Sequence, residues 1–539
     1  MWLKPNIFLV SKPRLKEAVL KLINKMVKDN MKGQKKLITL KKHYDNKMNY
    51  IEALDRNQYQ LMSCLDDLVS PNHPVRIIDK VVDSIVSSNK ERFEKERQTE
   101  VGRPKYHDSV KLKLFLYGYF NGISSSRKLE VETQRNKEVI WLLGGLSPDH
   151  WTISNYRKEQ ADDIKFVTKK FREFLKDNGY IKLKTVAIDG SKVKAYTNRD
   201  MLTVEKIDAK LEGIDKKIEE YLSKISESDR RDEVIDELES SDQSGEMNKY
   251  LDKIVQLQKQ VEELREHKET LEKEGRKYIS PADPEARLMK SRDGKIPAYN
   301  VQIAVDTENK MIADSEVVTD ETDLKMLPKM IESIKEELGE VPEEAIADKG
   351  YNNPDLIEAI EQKESAEGGT IKLYTSQEKT IRDKEEITFK YDEQKDEYEC
   401  SEGKRLVLAA RNKKRRNSFA NVYQGIECDG CPMRSKCTKS KKGRIVHRYL
   451  NQKWRDEYKA KMQSKLGKEK TAIRKTIVEH PFGTIKYLMG KIPLLLRGLK
   501  KVSTEINLYT TAYNLKRLIN IESYDYLIEK IMSYEWKTA

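Results

Sequence analysis

The chain has no apolar run approaching the roughly 20 residues that a membrane-spanning helix needs, so a membrane protein is not expected. It also lacks a good leader. The opening Met1-Trp2-Leu3-Lys4-Pro5-Asn6-Ile7-Phe8-Leu9-Val10 has only a short apolar stretch, and no small-residue cleavage site follows. The expected compartment is cytoplasmic. Cysteine is scarce, with five in 539 residues and four of them late in the chain, which argues against a disulfide framework. Hydrophobic residues reach only 37% while charged ones make up 36%, so long solvated helices or linkers must take up much of the length. Basic charge is plentiful: 103 Lys and Arg against 90 Asp and Glu leave a net +13, which favours a polyanionic partner. At roughly 150 residues per domain, a chain of this length suggests about three or four domains.

Residues 1–47 hold thirteen Lys and Arg against Glu17, Asp29 and Asp45. Leu15, Val19, Leu22, Ile23, Met26 and Val27 space as an amphipathic helix there. The stretch reads either as an arm on a DNA backbone or as an extension ahead of a start at Met48. Residues 48–173 are helical with short breaks. His73-Pro74-Val75-Arg76 opens a helix with Ile77, Ile78, Val81 and Val82 on a core face, and Val110 to Phe120 is strongly apolar. Ser125-Ser126-Arg127-Lys128-Leu129-Glu130 has capping-box character, and Asp149 to Lys158 ends in polar and basic residues at helical spacing. Such short successive helices suggest helix-turn-helix packing that reads a DNA groove, with Arg127 and Arg157 as candidate contacts. An ordinary helical bundle with a solvated face is the alternative.

The chemistry is expected where an apolar run ends on a carboxylate. Val186-Ala187-Ile188-Asp189-Gly190 reads as a buried strand delivering Asp189 at its end, and Ala345-Ile346-Ala347-Asp348-Lys349-Gly350 repeats the device. A third carboxylate, Glu479, sits in a helical run from Ile473 to Gly483. Three such groups could build a two-metal phosphoryl-transfer site. Between the two Asp strands, residues 203–275 place Val204, Ile207, Leu211, Ile214, Ile218, Tyr221 and Ile225, then Tyr250, Ile254, Leu257, Val261, Leu264 and Leu271, at steps of three and four. That predicts an inserted antiparallel coiled-coil hairpin, either self-packed or dimerising. Two strands, Ala298–Asp306 and Met311–Val318, and a helix over Leu324–Leu338 follow it. The order strand, strand, strand, helix, strand, helix fits an RNase H-like mixed sheet.

Residues 371–445 turn β-prone and basic. Cys400, Cys428, Cys431 and Cys437, with a Cys-x2-Cys pair on a Gly-containing knuckle, could supply four thiolates to a structural Zn²⁺; reduced, unliganded thiols are the alternative. Arg411 to Arg416 and Lys439 to Arg444 flank this cluster as a candidate phosphate-backbone surface.

Taken together these residues resemble the insertion-sequence transposases with an Asp-Asp-Glu catalytic domain, of the IS-eleven-eighty-two type within the broader IS-four-like group. The resemblance covers about residues 48–520. It rests on Asn72-His73-Pro74-Val75-Arg76, Gly102-Arg103-Pro104, Tyr117-Gly118-Tyr119, Ser125-Ser126-Arg127-Lys128-Leu129-Glu130 and Thr152-Ile153-Ser154 in front. Behind these come Ile188-Asp189-Gly190, Tyr299-Asn300-Val301-Gln302, Ala347-Asp348-Lys349-Gly350-Tyr351 and Val478-Glu479-His480-Pro481-Phe482-Gly483-Thr484-Ile485-Lys486. It implies a multidomain α+β protein. A helical DNA-binding domain (48–173) would precede an RNase H-like catalytic domain (180–520), itself interrupted by the coiled-coil hairpin (203–275) and the four-cysteine zinc insertion (371–445); 521–539 would form a C-terminal tail. It further implies that Asp189, Asp348 and Glu479 hold two Mg²⁺, with Mn²⁺ able to substitute. The reaction would be hydrolysis at transposon ends and joining of the 3′-OH to target DNA, on double-stranded DNA, by a homodimer or larger assembly. The family places a Tyr, an Arg and a Lys around the Glu. Lys486 matches the Lys and its phosphate role; Lys475 stands at the Arg position with Arg474 beside it, and Ala472 where the Tyr is expected. Arg474 and Lys475 are therefore candidate DNA contacts without a carried-over role. His480 reads either as a proton shuttle or phosphate contact, or as a residue that packs or caps locally. The competing readings are a domesticated or inactive DNA-binding copy, an RNase H-like nuclease without strand transfer, and a coiled-coil assembly protein.

Overall fold

The computed structural model describes residues 64–94, 105–198, 200–232, 243–291, 294–376, 387–415, 418–488 and 494–537. The basic stretch 1–47 and its expected helix lie outside them. The front of the described chain is helical: α1 (Pro74–Ser88), α2 (Asp108–Phe120), α3 (Ser126–Arg135), α4 (His150–Glu159) and α5 (Ala161–Asp177). The start of α1 follows from its residues. Pro74 sits in the first turn, where its missing N–H costs nothing, and the His73 side chain accepts from Val75 N. Val75, Ile77, Ile78, Val81, Val82, Ile85 and Val86 then recur at helical spacing and are all buried. In α4 the Asp149 carboxylate caps the helix by accepting from Thr152 N at 2.7 Å.

Strand β1 (Thr185–Lys194) follows, and after it two long helices, α6 (Val204–Asp232) and α7 (Gln243–Glu274). These lie antiparallel, because Lys268 pairs with Asp208 at 2.6 Å while the rings of Tyr221 and Tyr250 sit 5.6 Å apart. The sheet resumes with β2 (Arg287–Ser291), β3 (Gly294–Asp306) and β4 (Ile312–Val318). It continues through α8 (Met326–Leu338), β5 (Glu344–Ala347), α9 (Pro354–Ala366) and β6 (Lys372–Thr375). Its order is β2-β3-β1-β5-β6, with β4 also on β3. β1 runs antiparallel to β3 and parallel to β5, and β5 is parallel to β6.

A second, antiparallel sheet takes β7 (Phe389–Asp392), β8 (Glu397–Cys400), β9 (Arg405–Arg415), β10 (Ser418–Gly425) and β11 (Ile445–Tyr449) in sequence order. Tyr398, Leu406 and Tyr423 form its small core. It is tied to the first sheet's layer through Asp355 of α9, which pairs with Arg455 and accepts from Asn451 Nδ2 at 3.0 Å and from Ser418 Oγ. The chain closes with α10 (Gln452–Gln463), α11 (Lys465–Leu488), α12 (Leu499–Ile521) and α13 (Tyr524–Ser533).

The architecture is α+β, and one hydrophobic core runs from the front helices into the first sheet. α12 explains this: it is buried along nearly its whole length and packs on α2, α5 and β4. The front helices are therefore not a separate packing unit from the sheet. The expected C-terminal tail carries a helix. α13 buries Leu527 and Ile531, and beyond it the Trp536 ring stacks on Phe174 at 5.2 Å. Among the described residues no helix is long and apolar enough to cross a membrane.

Candidate active site

Val186, Ala187 and Ile188 are fully buried, as are Ile346 and Ala347 of the neighbouring strand. Such strands run apolar on both faces because helices cover the sheet on each side. The parallel register pairs Thr185 with Glu344, Val186 with Ala345 and Ala187 with Ile346, so carrying it two residues onward sets Asp189 beside Asp348. The electrostatics agree. The Asp189 carboxyl is pushed above the usual carboxylate range, chiefly by burial, with the Asp348 charge adding to it and Arg474 acting against it. Arg474 Nη1 stands 3.1 Å from Asp189 Oδ2. Asp348 Oδ1 accepts from Gly350 N at 2.7 Å and so caps the short turn Lys349–Tyr351.

The expectation that Asp189 ends its strand is corrected: β1 runs on to Lys194, paired with β3 throughout, and α11 packs across β1 and β5. Ile477 and Val478 are buried against the sheet, and Lys486 Nζ donates to Ser191 Oγ of β1 at 2.8 Å. Lys475 is exposed. Glu479 is exposed as well and makes no hydrogen bond or ion pair among the described residues. The structure thus brings Asp189 and Asp348 together, with Arg474 and Lys486 reaching β1, and leaves Glu479 outside the pair. Among the described residues no three of His, Cys, Asp and Glu are grouped as a metal site. Two adjacent carboxylates still suit Mg²⁺, which retains several waters and is commonly held by one or two of them. His480 is turned toward α12. It lies 2.9 Å from the Tyr513 hydroxyl, and burial pulls its pKa down, with Arg517 and Lys310 contributing.

One functional-site residue has no motif to announce it. Asp323, in the turn before α8, accepts from Lys192 Nζ at 3.0 Å, Asn300 Nδ2 at 2.8 Å and Gln302 Nε2 at 2.8 Å. Gln302 Oε1 accepts in turn from the buried Tyr351 hydroxyl. That hydroxyl is held protonated by burial first, then by the charges of Asp323, Asp189 and Asp348. Gly190 is glycine for this reason: a Cβ there would meet Gln302 Nε2 at 2.3 Å.

Of the DNA contacts expected in front, Arg127 is exposed at the start of α3. Arg157 is not. It is turned inward, donates to the Tyr119 hydroxyl at 3.1 Å and to Ser124 O at 2.8 Å, and faces the buried Glu505 carboxylate of α12 at 3.7 Å. Its charge serves the core, which corrects the expectation that it reads a groove.

The four late cysteines line a single cavity with Phe389, Arg434 and Arg444, and none is in a disulfide. The Cys437 thiol is pushed up, mostly by burial, with Cys428, Cys400 and Cys431 adding to the effect and Arg444 opposing it. Four thiols converging on one cavity are a donor set that suits Zn²⁺, although they are not drawn together to ligand distances here.

Comparison with known families adds to this geometry. Residues 399–519 match a family model described as a transposase DDE domain, and residues 63–159 match one described as a transposase domain (DUF772). Both segments are of transposase type. The transposase DDE segment takes in the four cysteines, Glu479 and Lys486; the transposase segment in front takes in α1 to α4; Asp189 and Asp348 lie outside both. Among solved structures, a cryo-EM structure of piggyBac transposase in a synaptic complex with hairpin DNA is similar at 7% identity and a TM-score of 0.26, covering 85% of this chain and 79% of that one. No curated protein sequence matches the chain.

Proposed function

We propose that the chain is a DNA transposase of the Asp-Asp-Glu kind, resembling the IS-eleven-eighty-two type, which cuts transposon ends and joins the freed 3′-OH to target DNA. The observation that carries this reading is the parallel register of β1 and β5, which sets Asp189, in the middle of β1, beside Asp348, just past the end of β5, beneath a helix that carries Glu479. The order of four strands in antiparallel pairing, β1 to β4, followed by the parallel strands β5 and β6 supports an RNase H-like catalytic layer.

Asp189 and Asp348 would hold Mg²⁺ or Mn²⁺, with Glu479 completing the set. Bound there, the ions would lower the pKa of the attacking water and stabilise the leaving oxygen. Lys486 orients the scissile phosphate from its place beside Ser191. Lys475 and Arg127 present exposed cations to the DNA backbone, and Arg474 balances the Asp189 charge. The four thiols would hold a structural Zn²⁺ that firms the second sheet. The front helices serve end recognition, the α6–α7 pair works as a coiled coil, and paired-end chemistry calls for at least a dimer on double-stranded DNA in the prokaryotic cytoplasm.

The test is cleavage of a labelled DNA end, taken from the sequence flanking the gene, in Mg²⁺, with Asp348→Ala in parallel. Cleavage lost in the variant upholds the site. Binding without cleavage by the unaltered chain favours a DNA-binding copy, cleavage without joining favours a nuclease, and equal cleavage by both chains refutes the site.

A further inference from the structure

A groove of about 540 Å³ opens between the first turns of α8 and α9 and the β9–β10 hairpin, a volume within the roughly 300–1,000 Å³ usual for ligand pockets. Lys325 lines it from α8, Asn353 and Asp355 from α9, and Lys414 and Phe419 from the hairpin, where those two are directly paired across the strands. The chain leads into it from the proposed site: Asp348 caps the turn Lys349–Tyr351, and Asn353 stands two residues later at the head of α9. Both helices bring their first turns to the groove, where free backbone N–H groups favour an anion. The Asp355 carboxylate in its wall is already neutralised by Arg455 and accepts from Asn451 and Ser418. Lys325 and Lys414 are exposed and make no hydrogen bond or ion pair among the described residues, so the groove keeps a positive charge. Asn353 is only 9% exposed, yet its side chain also has no hydrogen-bond partner among the described residues, and a buried amide in that state calls for one. The Phe419 ring is 52% exposed. An open ring flanked by free cations suits unpaired nucleic acid, with a base on the ring and the phosphates on the cations. Within a duplex the base faces are already covered.

We propose that this groove binds an unpaired DNA strand running on from Asp348, with phosphates against Lys325, Lys414 and the Asn353 amide and a base stacked on Phe419. It deepens the transposase reading and rests on it for where the strand comes from. Fluorescence anisotropy of a labelled oligothymidylate, titrated with the full chain without divalent metal so that nothing is cut, tests it. Lys325, Lys414 and Phe419 are exposed, so their variants should unfold at the temperature of the unaltered chain. Phe419→Ala should weaken binding by roughly 5- to 100-fold, the range for one base stacked on a ring, whereas Phe419→Tyr, which keeps a ring, should not. Lys325→Gln with Lys414→Gln should flatten the slope of log affinity against log salt by roughly 1.4, about 0.7 for each phosphate contact on a single strand. A duplex of the same length should lose little on Phe419→Ala. Binding by Phe419→Ala like that of the unaltered chain, or an equal loss for duplex and single strand, overturns the inference. Cleavage that does not depend on Asp348, found beside a single-strand loss specific to Phe419→Ala, refutes the active-site reading and upholds the groove.

Discussion

Replacing Arg157 with methionine separates a core role from a DNA role, because the two predict opposite results. The Arg157 side chain is 3% exposed and that of Glu505 is 0% exposed, with 3.7 Å between Nη1 and Oε1. At an effective dielectric near 20, an ion pair at that spacing attracts by about 4–5 kcal/mol. Methionine keeps the packing against Phe115 but leaves Glu505 with two backbone donors, Leu495 N at 2.8 Å and Leu496 N at 3.1 Å, a long contact from the Tyr119 hydroxyl at 3.5 Å, and no counter-charge. Stranding a buried charge in this way costs about 3–5 kcal/mol, and that is the expected loss of unfolding free energy. Removing both charges, as in Arg157→Met with Glu505→Leu, should restore most of it, since the desolvation cost goes with the pair.

The pH dependence has a definite sign. Burial, the largest cause, already holds the Glu505 carboxyl above the usual range, with Arg157 pulling the other way. A group with a raised folded pKa leaves stability intact below its unfolded pKa and costs stability as pH climbs through its folded value. Without Arg157 that folded value rises further, so the Arg157→Met defect should shrink as the pH falls from about 7.5 to about 5. Urea unfolding followed by tryptophan fluorescence reads the stability, and DNA binding is measured alongside. A loss below about 1 kcal/mol together with weakened DNA binding would refute the core assignment, since surface cations away from such networks change stability by about that little.

Two further outcomes follow from the site. Gly190→Ala drives a Cβ to 2.3 Å from Gln302 Nε2 and 3.0 Å from Asp323 Oδ1, so it should cost about 1–3 kcal/mol of stability. Gly483→Ala on α11, where a Cβ meets nothing within 4 Å, should instead gain up to about 1 kcal/mol, and thermal unfolding of the pair checks both. For the thiol cavity, elemental analysis of reduced protein should find one zinc per chain, lost on Cys428→Ser or Cys431→Ser; a metal-free chain with four thiols open to a thiol reagent refutes zinc.

The two carboxylates were legible because a strand segment buried on both faces must read as a continuous apolar run, and an acidic residue closing such a run stands out twice, at Asp189 and Asp348; that β1 continues past Asp189 to Lys194 was not, because it depends on pairing with β3. The β3–β4 hairpin was legible for a related reason: the turn residue Lys310, at φ 57°, falls between two β-rich runs. Arg157 was not legible. Helical spacing placed it among polar neighbours, and nothing local reveals that its partner, Glu505, arrives from α12 hundreds of residues later. The C-terminal helix was hidden similarly, since its two buried residues, Leu527 and Ile531, acquire a face only once α1 is there to cover them. Asp323 depends on register: Gly190 and Lys192 share one face of β1, and only the pairing with Gln302 and Asn300 turns that face into a polar cradle.

The position of Glu479 follows from how α11 is held. Arg474 reaches Asp189 and Lys486 reaches Ser191, so two side chains from well-separated turns converge on neighbouring points of one strand. Twelve residues of helix rise about 18 Å, whereas two residues of strand span about 7 Å, so only long cationic side chains can bridge the difference from either end. Glu479 lies between those anchors, two turns before Lys486 and on nearly the same face, with a shorter side chain than either. On the proposed reading, a divalent ion at Asp189 takes over the charge that Arg474 now balances. Lys470, which pairs with Glu344, the buried Ile477, Val478 and Ile485, and Lys486, which shares its face with Glu479, would still hold the helix to the sheet.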